Sequence, residues 1–235
     1  MKKALIAVSS MLALALTAGA ALAEYSPTLE FGLSDTKAKA NPEITIKVAQ
    51  EAGEEELGHV TLTIPKGFDL PSDEEVAGGS LLGTADLAID AGPGCHPSAG
   101  GAPLKTSAPF SDRSIYEQDR DDAQADEGIH AVWVVDLQPV TTIPLEVTGS
   151  IAKGWKLDGD IPANDFTCPP LTFDGTIFSE TQTRTPVNPT DPAGEAGVPI
   201  LTNPAKPGKY VFGGTLSSAT SPDVLTIKQV IKITK

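Results

Sequence analysis

Asp158, Asp160, Asn164 and Asp165 crowd into one short stretch and could place several oxygen ligands in a single loop. Asp119, Asp121, Asp122, Asp126 and Glu127 form a second acidic group. Calcium takes roughly six to eight oxygen ligands, and a loop of this chemistry can supply them. Neither group follows the EF-hand order, because Pro162 and Ala123 stand at its fifth position. The same carboxylates also read as solvated loop residues that keep an acidic chain dispersed. No cofactor is assigned from the sequence, calcium being the one ion that such loops could take. Trp155, in Gly154-Trp155-Lys156-Leu157, reads as a loop ring on which a sugar could stack, whereas Trp133 falls on the apolar side of a strand.

Catalytic patterns are weaker. Ser150-Ile151-Ala152-Lys153 matches the S-x-x-K of penicillin-recognising enzymes, but that chemistry needs Ser and Lys one helical turn apart. Here the stretch reads as strand, which sends residues three apart to opposite faces. No G-x-S-x-G elbow occurs. His59 and His130 read as outward strand residues, and His96 as a neighbour of Cys95. No catalytic residue is assigned, and the chain reads as non-enzymatic.

Residues Met1–Ala23 have the form of a secretory signal peptide. Lys2 and Lys3 precede an apolar run, and Ala21-Leu22-Ala23 supplies the small-x-small cleavage pattern, placing the cut between Ala23 and Glu24. Export makes Cys95 and Cys168, the only two cysteines, a candidate disulfide. The net charge is −14, with 17 Lys+Arg against 31 Asp+Glu, and loss of Lys2 and Lys3 makes it more negative. Such a chain is no nucleic-acid binder by bulk electrostatics, because phosphate contacts need Lys or Arg. After cleavage no apolar stretch is long enough to span a membrane.

The elements that must hold these residues read almost entirely as strands. Apolar side chains alternate with polar ones over Leu29–Leu33, Ile44–Val48, Val60–Ile64, Thr84–Asp90, Ile129–Leu137, Leu145–Ile151, Leu171–Phe178, Lys209–Leu216 and Val224–Thr234. Ala91–Gly128 reads as a long irregular stretch, with a short helix the one structure its charged part, Asp112–Glu127, could hold. Thr181–Pro207 carries six prolines and predicts no regular structure. With 22 Gly and 20 Pro as punctuation, about nine strands predict an all-β, immunoglobulin-like sandwich with long irregular loops. It would be one elaborated domain over 24–235, with an internal division conceivable near 91–128. Pro207-Gly208-Lys209-Tyr210-Val211-Phe212 adds a Tyr-led strand after a Pro-Gly turn, like the tyrosine corner of such sandwiches.

Four stretches carry a family resemblance: Asp35-Thr36-Lys37-Ala38-Lys39-Ala40-Asn41-Pro42, Val60–Gly67, Leu82-Gly83-Thr84-Ala85-Asp86 and Val198-Pro199-Ile200-Leu201-Thr202-Asn203-Pro204. In this order the chain resembles a largely uncharacterised domain of exported proteins from high-GC Gram-positive bacteria. The resemblance implies a secreted β-sandwich and supplies no chemistry. That family has a cysteine soon after the Leu-Thr-Asn-Pro stretch, and Ala205-Lys206-Pro207 has none. The expectation is a non-enzymatic module, secreted or held at the cell surface, meeting an envelope or extracellular protein or glycan. The alternatives are a calcium- or glycan-binding secreted module and, more remotely, a secreted hydrolase.

Overall fold

The computed structural model describes residues 25–89, 110–137, 141–161, 170–186, 189–190 and 193–235. Eleven strands form one sheet: β1 (Thr28–Leu33), β2 (Ile44–Gln50), β3 (Leu57–Ile64), β4 (Leu81–Ile89), β5 (Phe110–Gln118), β6 (Ile129–Leu137), β7 (Thr141–Ser150), β8 (Gly154–Asp160), β9 (Leu171–Gln182), β10 (Gly208–Ser218) and β11 (Val224–Ile233). One short helix, α1 (Asp122–Asp126), lies between β5 and β6. The strand order is β1-β2-β9-β4-β5-β6-β7-β8-β3-β10-β11, and every ladder is antiparallel.

This corrects the immunoglobulin-like sandwich expected from the sequence. A sandwich keeps two separate sheets, each with free edges. Here a continuous ladder runs through all eleven strands and curls until β1 and β11 meet, giving a nearly closed barrel. Two strands absent from the periodicity reading make the difference. β5 joins β4 to β6, and β8 joins β7 to β3; without them the ring falls into separate sheets.

The seam is held by a side chain. Gln229 faces inward from β11, and its amide replaces a strand neighbour for Phe31 of β1. The Phe31 N–H donates to Gln229 Oε1 at 2.7 Å, and Gln229 Nε2 donates to the Phe31 carbonyl at 2.6 Å. Gly214 of β10 lets β1 approach, since a Cβ there would lie 2.4 Å from Leu29 Cδ2. Past the seam, Ala38 N–H donates to the Thr234 carbonyl at 3.0 Å.

The barrel has two unlike ends. At one, the β3–β4 and β9–β10 connections fold across the opening and bury Phe68, Leu70, Val76, Ile200 and Leu201. Phe68 meets Phe212 and Tyr210 edge-on, at centroid separations of 5.0 and 5.4 Å. Trp155 Nε1 donates to the Phe68 carbonyl at 2.8 Å. Stretches that carry the family resemblance meet here: Asn203 Nδ2 donates to the carbonyls of Asp35 and Lys37, and Thr202 Oγ1 to Asn41 Oδ1. Their role in this chain is to tie the plug down. Tyr210 Oη donates to the Lys206 carbonyl at 2.7 Å, so the tyrosine corner exists locally, although the fold around it is a barrel.

Strands β2, β4, β6, β8 and β10 finish, and β3, β5, β7, β9 and β11 begin, at the opposite end. Met1–Ala23, the Ala23/Glu24 cleavage site, His96, Cys95 and Cys168 lie outside the described residues. The expected Cys95–Cys168 disulfide therefore falls outside the described residues, and the described barrel itself contains no cysteine. Among the described residues no helix is long and apolar enough to cross a membrane.

Candidate functional site

Strand alternation sends Val48, Val60, Leu87, Val135, Leu145 and Phe173 to the inside of the barrel, toward the end opposite the plug. They surround a cavity of about 90 Å³. Leu57, Leu137, Thr141, Ile161 and Leu171, all at or beside strand termini, carry the same wall to that end of the barrel. Only Thr141 among the lining residues has a polar side-chain atom. A buried water needs two to four polar partners, and apolar cavities of this kind stay dry and accept apolar guests. Left unfilled, a void of this size costs about 2 kcal/mol at ~24 cal/mol per Å³. An apolar molecule filling it would recover that energy along with its own transfer from water.

Beyond the cavity, at the same end, three buried side chains gather where β2 turns toward β3. Gln50 is the next inward position on β2 after Val48 and pairs with Leu171 of β9. Tyr25, Gln50 and Glu54 are 8 %, 3 % and 8 % exposed. Ser26 Oγ donates to Glu54 Oε1 at 2.7 Å, and Gln50 Nε2 to the Glu55 carbonyl at 2.8 Å. Burial pushes the Tyr25 phenol far above its ordinary value, and the charges of Glu54, Glu55 and Asp223 push it further. The sequence reading missed this group, because Tyr25 precedes the first strand and Glu54 sits in a run that looks like a solvated turn.

A second constellation lies on the outer face of β3 and β8. The register sets His59 opposite Asp160 and Thr61 opposite Asp158. His59 Nδ1 is 2.7 Å from Asp160 Oδ1, and His59 Nε2 is 3.2 Å from both Thr61 Oγ1 and Asp158 Oδ1. The row resembles an acid–His–hydroxyl relay in outline. Thr61 Oγ1, however, donates to Asp158 Oδ1 at 2.6 Å, which commits the hydroxyl proton to a carboxylate and not to the imidazole. Lys156 Nζ also reaches Asp158 Oδ1, at 2.8 Å. Burial alone would raise the Asp158 carboxyl, but the Lys156 and Thr61 hydrogen bonds and the Lys156 and His59 charges outweigh it and hold it below the ordinary range. The arrangement is a satisfied surface network.

A third feature is Glu117, inward on β5 and 1 % exposed. Burial raises its carboxyl to about 8, against a weak hydrogen bond from the Val132 N–H at 3.4 Å and with a further push from Asp73 and Asp119. Asp73 itself pairs with Arg120 Nε at 2.8 Å.

Of the residues singled out from sequence, Asp158 and Asp160 are brought together with His59, while Asn164 and Asp165 lie outside the described residues. Asp121 caps α1, its Oδ1 accepting from Gln124 N at 2.8 Å while Gln124 Oε1 accepts from Asp121 N at 3.0 Å. Asp122 opens that helix, and Asp119 precedes it with its carboxylate against Gly78. Among the described residues no group of three or more His, Cys, Asp or Glu is placed to hold a metal ion. Trp155, expected as an exposed loop ring, is a core residue of β8: it is 5 % exposed and its ring lies 4.5 Å from that of His130. The sugar-stacking reading of Trp155 is thereby withdrawn. The S-x-x-K stretch spans the β7–β8 hairpin turn, where Lys153 N–H donates to the Ser150 carbonyl. Comparison of the chain with protein-family models, curated proteins and solved structures finds no match.

Proposed function

We propose that this chain is a non-catalytic, exported binding module that holds a small apolar molecule, or the apolar part of a larger one, inside its barrel. The observation that carries the reading is the aliphatic cavity of about 90 Å³ at the end opposite the plug. Its asymmetry supports a receptor: aromatic residues fill one end to close packing, while the other keeps space bounded by Val, Leu, Ile and Phe side chains. The signal-like Met1–Ala23 and the resemblance to exported actinobacterial domains support placement outside the cytoplasm, secreted or at the cell surface. The non-catalytic part draws support from the outer His59 row, whose hydroxyl is committed to Asp158 and which sits on a convex sheet face.

The test is a thermal-shift and NMR titration of the full chain with benzene and cyclohexane. Saturation is expected to raise Tm and to move methyl resonances of Val60, Leu145 and Val135 in preference to those of the plug, such as Leu201. No shift in Tm and no selective methyl change at saturating ligand would overturn the reading.

A further inference from the structure

Tyr25, Gln50 and Glu54 are each more than nine-tenths buried, yet three of their polar atoms have no hydrogen-bond partner among the described residues: Tyr25 Oη, Gln50 Oε1 and Glu54 Oε2. Each such group costs on the order of 1–3 kcal/mol if it stays unpaired, so three in one neighbourhood point to a further species that completes them. All three can accept a hydrogen bond, and two can do nothing else while Glu54 is ionised. What they lack is therefore a donor, or several donors on one atom.

Among the described residues, the two turns around the group carry charge of one sign. Glu51, Glu55 and Glu56 flank Glu54, Asp223 lies in the neighbouring β10–β11 turn, and neither turn contains Lys or Arg. Hydrogen bonds from the Ser221 and Ser218 side chains, in that order, hold the Glu55 carboxyl below its usual range, so that charge persists at neutral pH. An anion would meet repulsion here, and a neutral alcohol would satisfy the acceptors with a single proton. A primary ammonium carries three N–H donors on one cationic nitrogen and answers both the number of acceptors and the sign of the charge.

We propose that this end of the barrel recognises a primary ammonium group, bound by Tyr25 Oη, Gln50 Oε1 and Glu54 Oε2, on a ligand whose apolar body enters the cavity. The proposal rests on the cavity reading above and adds the ligand's class: an amphiphilic amine. The link between the two parts is the β2 strand, on which Val48 lines the cavity and Gln50 supplies an acceptor one inward position further. Acidic side chains around the group would also speed capture of a cation by long-range attraction, an effect that fades as salt rises.

Calorimetric titration of the full chain with n-hexylamine, 1-hexanol and hexanoate at neutral pH tests it, since the three probes share one apolar tail. Hexylammonium is expected to bind at least tenfold tighter than 1-hexanol, with hexanoate weakest. Glu54→Gln should bring hexylammonium down to the level of the alcohol. Tyr25→Phe, which removes one oxygen and keeps the ring, should lower its affinity severalfold and serves if Glu54→Gln fails to fold. Equal binding of hexylammonium and 1-hexanol would overturn the ammonium site, the three acceptors then being satisfied by ordered water, and would leave the cavity reading standing. Absence of binding by all three would overturn both.

Discussion

Replacing Gln229 by Leu would test whether a single side chain closes the barrel. Phe31 is 5 % exposed, and its N–H and C=O both end on the Gln229 amide, at 2.7 and 2.6 Å. Leucine is close in volume and keeps the inward apolar contact, but it offers neither donor nor acceptor. Two buried backbone groups are then left unpaired, each costing about 1–3 kcal/mol. Added apolar contact returns about 1 kcal/mol. The net loss is about 1–5 kcal/mol, which for a domain of this size lowers Tm by roughly 2–20 °C. Gln229→Glu should lose at least as much at neutral pH, because a carboxylate accepts from the Phe31 N–H but sets its second, charged oxygen against the Phe31 carbonyl. Urea unfolding gives the stability, and hydrogen exchange at the Phe31 amide gives the site: its protection should collapse in Gln229→Leu ahead of protection in β6. A Gln229→Leu variant within about 0.5 kcal/mol of wild type, with Phe31 still protected, would refute the seam argument.

Three further outcomes follow from the same geometry. Glu117 has its carboxyl raised to about 8 in the fold. Native protein therefore holds a proton that unfolded chain releases near pH 4.5, so stability falls by a few kcal/mol from about pH 5 to pH 8 and then levels. Glu117→Gln should flatten that decline and raise Tm above wild type at pH 8.5; parallel pH–Tm curves for the two proteins would contradict it. Val135→Ile adds one methylene to the cavity wall and should stabilise the chain by about 0.8 kcal/mol in chemical denaturation while weakening benzene binding, whereas a destabilised variant would mean the space is already filled. Trp155→Phe strips the indole N–H from the Phe68 carbonyl and should cost about 1–3 kcal/mol in the same assay, a loss that an exposed sugar-stacking ring would not show.

The strands legible in the sequence are those whose inward side is aliphatic. Val60, Leu62 and Ile64 on β3 and Ala131, Trp133 and Val135 on β6 alternate in sequence and face inward in the barrel. β5 escaped because its inward positions include Glu117, so a buried face looked charged. β8 escaped because its inward row is Trp155, Leu157 and Gly159, and the glycine reads as a loop. Here it answers crowding: a Cβ at position 159 would lie 2.5 Å from Leu145 Cδ2. These two strands separate a barrel from a sandwich, so local errors became a global one. The tyrosine corner shows the converse. Tyr210 bonds back to Lys206 as the sequence suggests, but a corner is a local device that either architecture can use. Neither the cavity nor the Tyr25–Gln50–Glu54 group was legible, because a void and an unpaired buried atom exist only once strands distant in sequence are in register.

The most direct test of the central claim is a crystal structure of the full chain derivatised with xenon under pressure. The account predicts an eleven-stranded barrel with xenon in the space between Val60, Val135, Leu145 and Phe173, and none among the plug residues Phe68, Ile200 and Leu201. Side chains packed through that space, or ordered waters in place of xenon, would contradict it.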